Sequence, residues 1–77
     1  MKNLCDFIAR TLSVATTEVT PDTGPLTLSA WDSFKHMHLM VSLEEAYEVE
    51  IAIEEAVTLL TVSDIARLLD QKGVRIE

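Results

Sequence analysis

The chain has 77 residues, a net charge of −7 and a hydrophobic share of 48%, enough for one small domain over residues 1–77 with its own core. The acid excess excludes nucleic acid as a partner, because phosphates need Lys and Arg to displace counterions, and it favours partners with basic surfaces. A single cysteine excludes an internal disulfide, two distant glycines exclude a glycine-rich phosphate loop, and no apolar stretch or leader pattern directs the chain into or across a membrane.

Leu4, Phe7, Ile8 and Leu12 recur at helical spacing and predict a helix over 3–13, with Asp6 near its positive end and Cys5 as a small hydrophobe on the same pattern. From Val14 to Asp32 the breakers Thr20-Pro21-Asp22 and Gly24-Pro25 predict a long ordered loop, pinned to the core by Val19, Leu26, Leu28 and Trp31. Residues 33–48 contain neither Gly nor Pro and predict the strongest helix; Val49-Glu50-Ile51 then reads as an extended link. Ile53 to Val57 predicts a brief third helix. Thr61-Val62-Ser63-Asp64 is a capping box with Asp in place of Glu, ahead of Ile65, Leu68 and Leu69, in a helix that ends near Lys72-Gly73. No segment alternates with period two, so the fold class is all-α, a small bundle of three longer helices and a short third one.

On a helical wheel the second helix carries two apolar groups. Leu39, Met40, Leu43, Ala46 and Tyr47 form the arc expected to face the core, and His36 falls within it. Phe34, Met37 and Val41 form a narrower stripe, flanked by Glu44, Glu45 and Glu48. Burying three unpaired carboxylates is costly, so this stripe reads as an exposed docking surface with an apolar centre and acidic rim; packing against the long loop is the alternative.

Asp32-Ser33 opens the same helix. Capping is the simplest role for the pair, worth about 1 kcal/mol. Nucleophilic catalysis by Ser33 with His36 one turn on lacks a second lobe to form a cleft, and His36 and His38 point to different faces, which excludes a metal pair. The third role is a hydroxyl that another protein modifies.

Asp32-Ser33-Phe34, then Leu39, Leu43-Glu44-Glu45 and Tyr47, then Glu50-Ile51, and Leu60-Thr61-Val62 together resemble an acyl carrier protein, from about Leu4 to Leu69. The resemblance implies a four-helix bundle whose Ser33 carries 4′-phosphopantetheine, installed from coenzyme A by a phosphopantetheinyl transferase and holding acyl groups as thioesters. It implies a part for Asp32 in transferase recognition, and Leu43, Ile51 and Leu59 as residues lining an acyl chain. With no span or leader pattern the chain is expected to be cytoplasmic, and the resemblance implies a monomeric carrier that performs no catalysis and serves acyl-loading and acyl-processing enzymes with basic docking surfaces. The chain departs from the family pattern in Trp31, expected to staple the helix start, and in Lys35, His36 and His38, which point to a specialised stand-alone carrier with its own loading enzyme. An unmodified helical docking domain and an aminoacyl carrier are the alternatives.

Overall fold

The computed structural model describes residues 2–75; Met1, Ile76 and Glu77, the ends of the expected 1–77 domain, lie outside the described residues. Four α-helices follow in chain order: α1 (Lys2–Leu12), α2 (Ser33–Tyr47), α3 (Ile53–Ala56) and α4 (Val62–Gln71). The loop between α1 and α2 contains one 3-10 turn, Thr16–Glu18, and no strand occurs among the described residues.

The apolar faces read from the sequence meet in a single core. Leu4, Cys5, Ile8, Ala9 and Leu12 of α1 pack with Leu39, Met40 and Leu43 of α2 and with Val62, Ile65 and Leu69 of α4. Burial pushes the Cys5 thiol up from its ordinary value, as befits a packed small hydrophobe. Two expectations fail at the edges. Ala46 is exposed in the last turn of α2, so the core arc there narrows to Leu39, Met40 and Leu43 with Tyr47 half-buried. Leu26 does not pin the loop: it is 84% exposed, because the turn that begins at Gly24 carries it outward while Val19 and Trp31 turn in.

The three longer helices end alike. Ser13, Glu48 and Gly73 adopt left-handed backbone with φ of 61°, 55° and 86°. In each case the next residue, Val14, Val49 or Val74, returns its N–H to a carbonyl five residues back (Ala9, Glu44 or Leu69) and packs its side chain against the core. This is the Schellman arrangement, in which the free carbonyls of the last turn gain donors and an apolar residue seals the exit. Only Gly73 signals it in sequence; at Ser13 and Glu48 the valine's burial offsets the strain of a side chain at positive φ.

The loop is stitched to α4. The N–H groups of a first helical turn have no partner inside the helix. Here Val62 N–H donates to the Thr23 carbonyl (2.9 Å) and Ser63 N–H to the Pro21 carbonyl (3.0 Å), while Asp64 N–H donates to Thr61 Oγ1 (3.2 Å). The reciprocal half of the expected capping box shifts by one residue: the Asp64 carboxylate accepts from Leu60 N–H (3.0 Å).

The short α3 is held by its flanks. Glu44 of α2 accepts from Ile51 N–H (2.8 Å), and Glu55 both accepts from Ala52 N–H (2.9 Å) and pairs with Lys72 at the end of α4 (3.0 Å). The Ala52 N–H above all, and then Lys72, hold the Glu55 carboxyl below its ordinary value. A depressed carboxyl contributes stability above its unfolded value and loses it as pH falls through the folded one. In an NMR acid titration the Ala52 amide should therefore move with a midpoint below that of free glutamate, and Glu55→Gln should abolish the transition. A midpoint at or above the free value would show that the contact is not formed in solution.

Candidate functional site

Ser33 is the first residue of α2, and the residue before it makes the helix start there. Asp32 has extended backbone, and its Oδ1 accepts from Lys35 N–H (2.9 Å). Its carbonyl accepts from His36 N–H (2.8 Å), so the cap is complete without the serine hydroxyl. Among the described residues the Ser33 hydroxyl has no hydrogen-bond partner and the side chain is exposed. The N–H groups of Ser33 and Phe34 likewise find no partner among the described residues, which leaves the positive end of α2 open.

Beneath this helix start lies a polar relay. Trp31 and His36 occupy the positions on either side of the cap that a hydrophobic staple joins, and here they are bonded as well. The fully buried indole donates its N–H to His36 Nδ1 (2.9 Å), and His36 Nε2 lies 2.8 Å from the Ala56 carbonyl at the end of α3. An indole N–H only donates and a carbonyl only accepts, so the imidazole is the neutral tautomer with its proton on Nε2. With both nitrogens engaged, His36 is no base for Ser33. The expected inward turn of His36 is met, with a bonded partner at each end of the ring.

Ser33 opens on a cleft of about 290 Å³ lined by Pro25, Asp32, Ser33, His36, Met37, Val57, Leu59 and Leu60. A larger hollow of about 530 Å³, bounded by Asn3, Asp6, Phe7, Arg10, Thr16 and Tyr47, lies by the far end of α2 and has no part in the serine site. Of the residues expected at the docking stripe, Met37 lines the cleft, Phe34 (79% exposed), Val41 and Glu45 are exposed on α2, and Glu48 is exposed just past its end. Glu44 is half-buried, with one carboxylate oxygen committed to Ile51 N–H. The three expected lining residues are not together: Leu59 reaches the cleft, whereas Leu43 is sealed in the core and Ile51 is half-buried outside it.

Sequence reasoning missed the other wall. Ile53, Val57 and Leu60 are all exposed, and Val57 and Leu60 face Met37 across the cleft. Their spacing of four and three residues was a helical-face signal in plain view, but a segment this short does not say which of its faces is buried.

Fold and site together define a helical bundle that presents, among the described residues, an unbonded hydroxyl at a helix start beside an apolar cleft. The family model for a phosphopantetheine attachment site matches residues 2–69. An acyl carrier protein of Prochlorococcus marinus (strain MIT 9515) is 31% identical over 72 residues, covering 94% of this chain and 90% of its own length. One of Syntrophobacter fumaroxidans (strain DSM 10017 / MPOB) is 37% identical over 62 residues, 80% of this chain and 76% of its own. The solution structure of a holo acyl carrier protein from Geobacter metallireducens superposes with a TM-score of 0.80 at 34% identity, covering 91% of this chain and 80% of that one. The chain belongs to the phosphopantetheine attachment family and, within it, to the acyl carrier proteins. Its cofactor is covalent 4′-phosphopantetheine, and as a carrier it works with a phosphopantetheinyl transferase and with biosynthetic enzymes. The residues fit that group: a free, exposed hydroxyl, an open positive helix end for a phosphate, and an apolar cleft alongside.

Proposed function

We propose that Ser33 is the attachment residue and that the chain is one carrier domain, monomeric and cytoplasmic. The observation that carries this reading is the position of Ser33, exposed at the first turn of α2 with a hydroxyl the fold does not use. In the transfer, Ser33 Oγ loses its proton and forms a phosphodiester to pantetheine as the adenosine bisphosphate half of coenzyme A departs. Asp32 holds the helix start in place and presents a carboxylate to the transferase. The positive end of α2 and Lys35 favour the phosphodiester anion beside them. The arm supplies a terminal thiol on which an acyl group is held as a thioester.

The docking surface is the outward face of α2. Phe34, Met37 and Val41 form its apolar centre, and Glu45 and Glu48, with Glu44 beside them, its acidic rim. A partner enzyme with an apolar hollow and Lys or Arg around it is the complement. Lys35 and the exposed His38 sit at the serine end of the same helix, so the charge changes sign along it. That pattern supports a specialised carrier with its own loading enzyme.

Incubation with coenzyme A, magnesium and a broad-specificity phosphopantetheinyl transferase should add one phosphopantetheine, read by intact mass. No addition with several transferases would leave an unmodified docking domain instead. The Val41→Arg protein should keep its helicity and its melting temperature, because the side chain stands in solvent. Its modification by the same transferase should slow roughly tenfold, equivalent to about 1.4 kcal/mol of lost docking. Loss of helicity in this variant would mean that the stripe is core after all.

A further inference from the structure

His36 lines the cleft beside Ser33 and ties α2 to the end of α3. His36 projects from the first turns of α2, accepts from the Trp31 indole (2.9 Å) and reaches the Ala56 carbonyl at the end of α3 (2.8 Å). Behind it the interior is filled: Trp31, Leu39, Leu43, Ala56 and Leu59 are each no more than 5% exposed. Moving α3 aside would break the bond to Ala56 and strand the carbonyl of a buried residue together with the imidazole N–H that faces it, the costly way to lose a hydrogen bond, while the Trp31 indole holds the imidazole in place on the α2 side. The outer walls of the cleft, by contrast, are apolar and open, formed by Met37, Val57 and Leu60.

We propose that His36 is a specificity-determining residue that bolts α2 to α3, so that an aliphatic chain tethered at Ser33 rests along Met37, Val57 and Leu60 at the surface and does not enter the core. This rests on Ser33 as the attachment residue, and the test separates the two. The first arm loads the protein with acetyl- and octanoyl-phosphopantetheine from the corresponding coenzyme A thioesters and confirms loading by intact mass. The second arm needs no transferase: a Cys5→Ala, Ser33→Cys protein is coupled to methyl or octyl groups through a disulfide. In both arms NMR compares the short and long chains. The expected result is that lengthening the chain shifts the methyls of Met37, Val57 and Leu60, leaves those of Leu39 and Leu43 in place, and keeps the His36 Nε2–H tautomer in the imidazole 15N spectrum. In His36→Ala the long chain should move the Leu39 and Leu43 methyls and raise the melting temperature above that of the short-chain form. His36→Gln, whose amide can accept and donate as the imidazole does, should restore the parent pattern. Core methyl shifts in the parent with the octyl chain would overturn the proposal, as would identical behaviour of His36→Ala and the parent. Should His36→Ala fail to fold, the parent and His36→Gln still decide. Failure of the first arm alone would count against Ser33 as the attachment residue and leave the second arm to judge the bolt.

Discussion

A Ser33→Ala protein should fold like the parent and take up no phosphopantetheine. The two halves of that expectation have separate causes. Stability is spared because the hydroxyl makes no hydrogen bond among the described residues and the side chain is exposed. Capping belongs to Asp32, whose Oδ1 holds Lys35 N–H, and alanine is the best helix former at an exposed helical position. The change in unfolding free energy should lie within about ±0.5 kcal/mol. Uptake is lost completely because no substitute faces the cleft: His36 has both nitrogens engaged, and a carboxylate such as Asp32 does not form the phosphodiester. Intact mass after exposure to the transferase reads the second half and a urea melt the first. A mass gain in Ser33→Ala would place the attachment elsewhere. The neighbouring Asp32→Ala protein inverts the pattern: it should lose about 1 kcal/mol with its cap and still accept the arm, more slowly.

The largest stability effect is expected at Gly24, which is buried and pressed against the start of α4. A Cβ at this position would overlap the Leu60 carbonyl oxygen and lie 2.7 Å from its carbon and 3.2 Å from Thr61 Cα. All three are backbone atoms, and no side-chain rotation can relieve the overlap. The loop would have to withdraw, and the bonds from Val62 N–H to Thr23 and from Ser63 N–H to Pro21 would stretch or break with it. Overpacking together with loss of donors at a helix start should cost about 3 kcal/mol in Gly24→Ala. At roughly 4–8 °C per kcal/mol for a domain of this size, the melting temperature should fall by more than about 10 °C. Gly73→Ala is the control. Nothing lies within 4 Å of its added Cβ, but φ is +86°, so it should cost only the left-handed strain of about 1 kcal/mol. Equal melting temperatures for the two variants would show that the close approach at Gly24 is not needed.

The fold was legible where it depends on neighbours three or four residues apart. Leu4, Ile8 and Leu12, then Leu39 and Leu43, then Ile65 and Leu69, mark the buried faces of α1, α2 and α4, and Asp32 and Thr61 mark where two of these helices begin. The serine at the helix start and the exposed stripe of Phe34, Met37 and Val41 follow from the same periodicity. Legibility stopped at helix exits and in the loop. Ser13 and Glu48 carry no sign of left-handed backbone; the valine after each supplies the reason, and its burial depends on the rest of the bundle. Leu26 looked like an anchor because it is apolar, and only the direction of its turn puts it in solvent.

By itself, then, the sequence determined the positions of the helices, which of their faces are apolar, and that one serine opens the strongest of them. These are properties of a local repeat, set by side chains that meet within one or two turns of the same helix. Tertiary structure alone decided the rest. It brought Ala56 to His36 across 20 residues of chain and Pro21 to Ser63 across 42, converting a histidine in a core arc into a bolt and a loop into the cap of α4. It also placed Val57 and Leu60 opposite Met37, and so made the cleft on which Ser33 opens. No window of sequence contains those pairs, because what holds them is the packing of whole helices against one core.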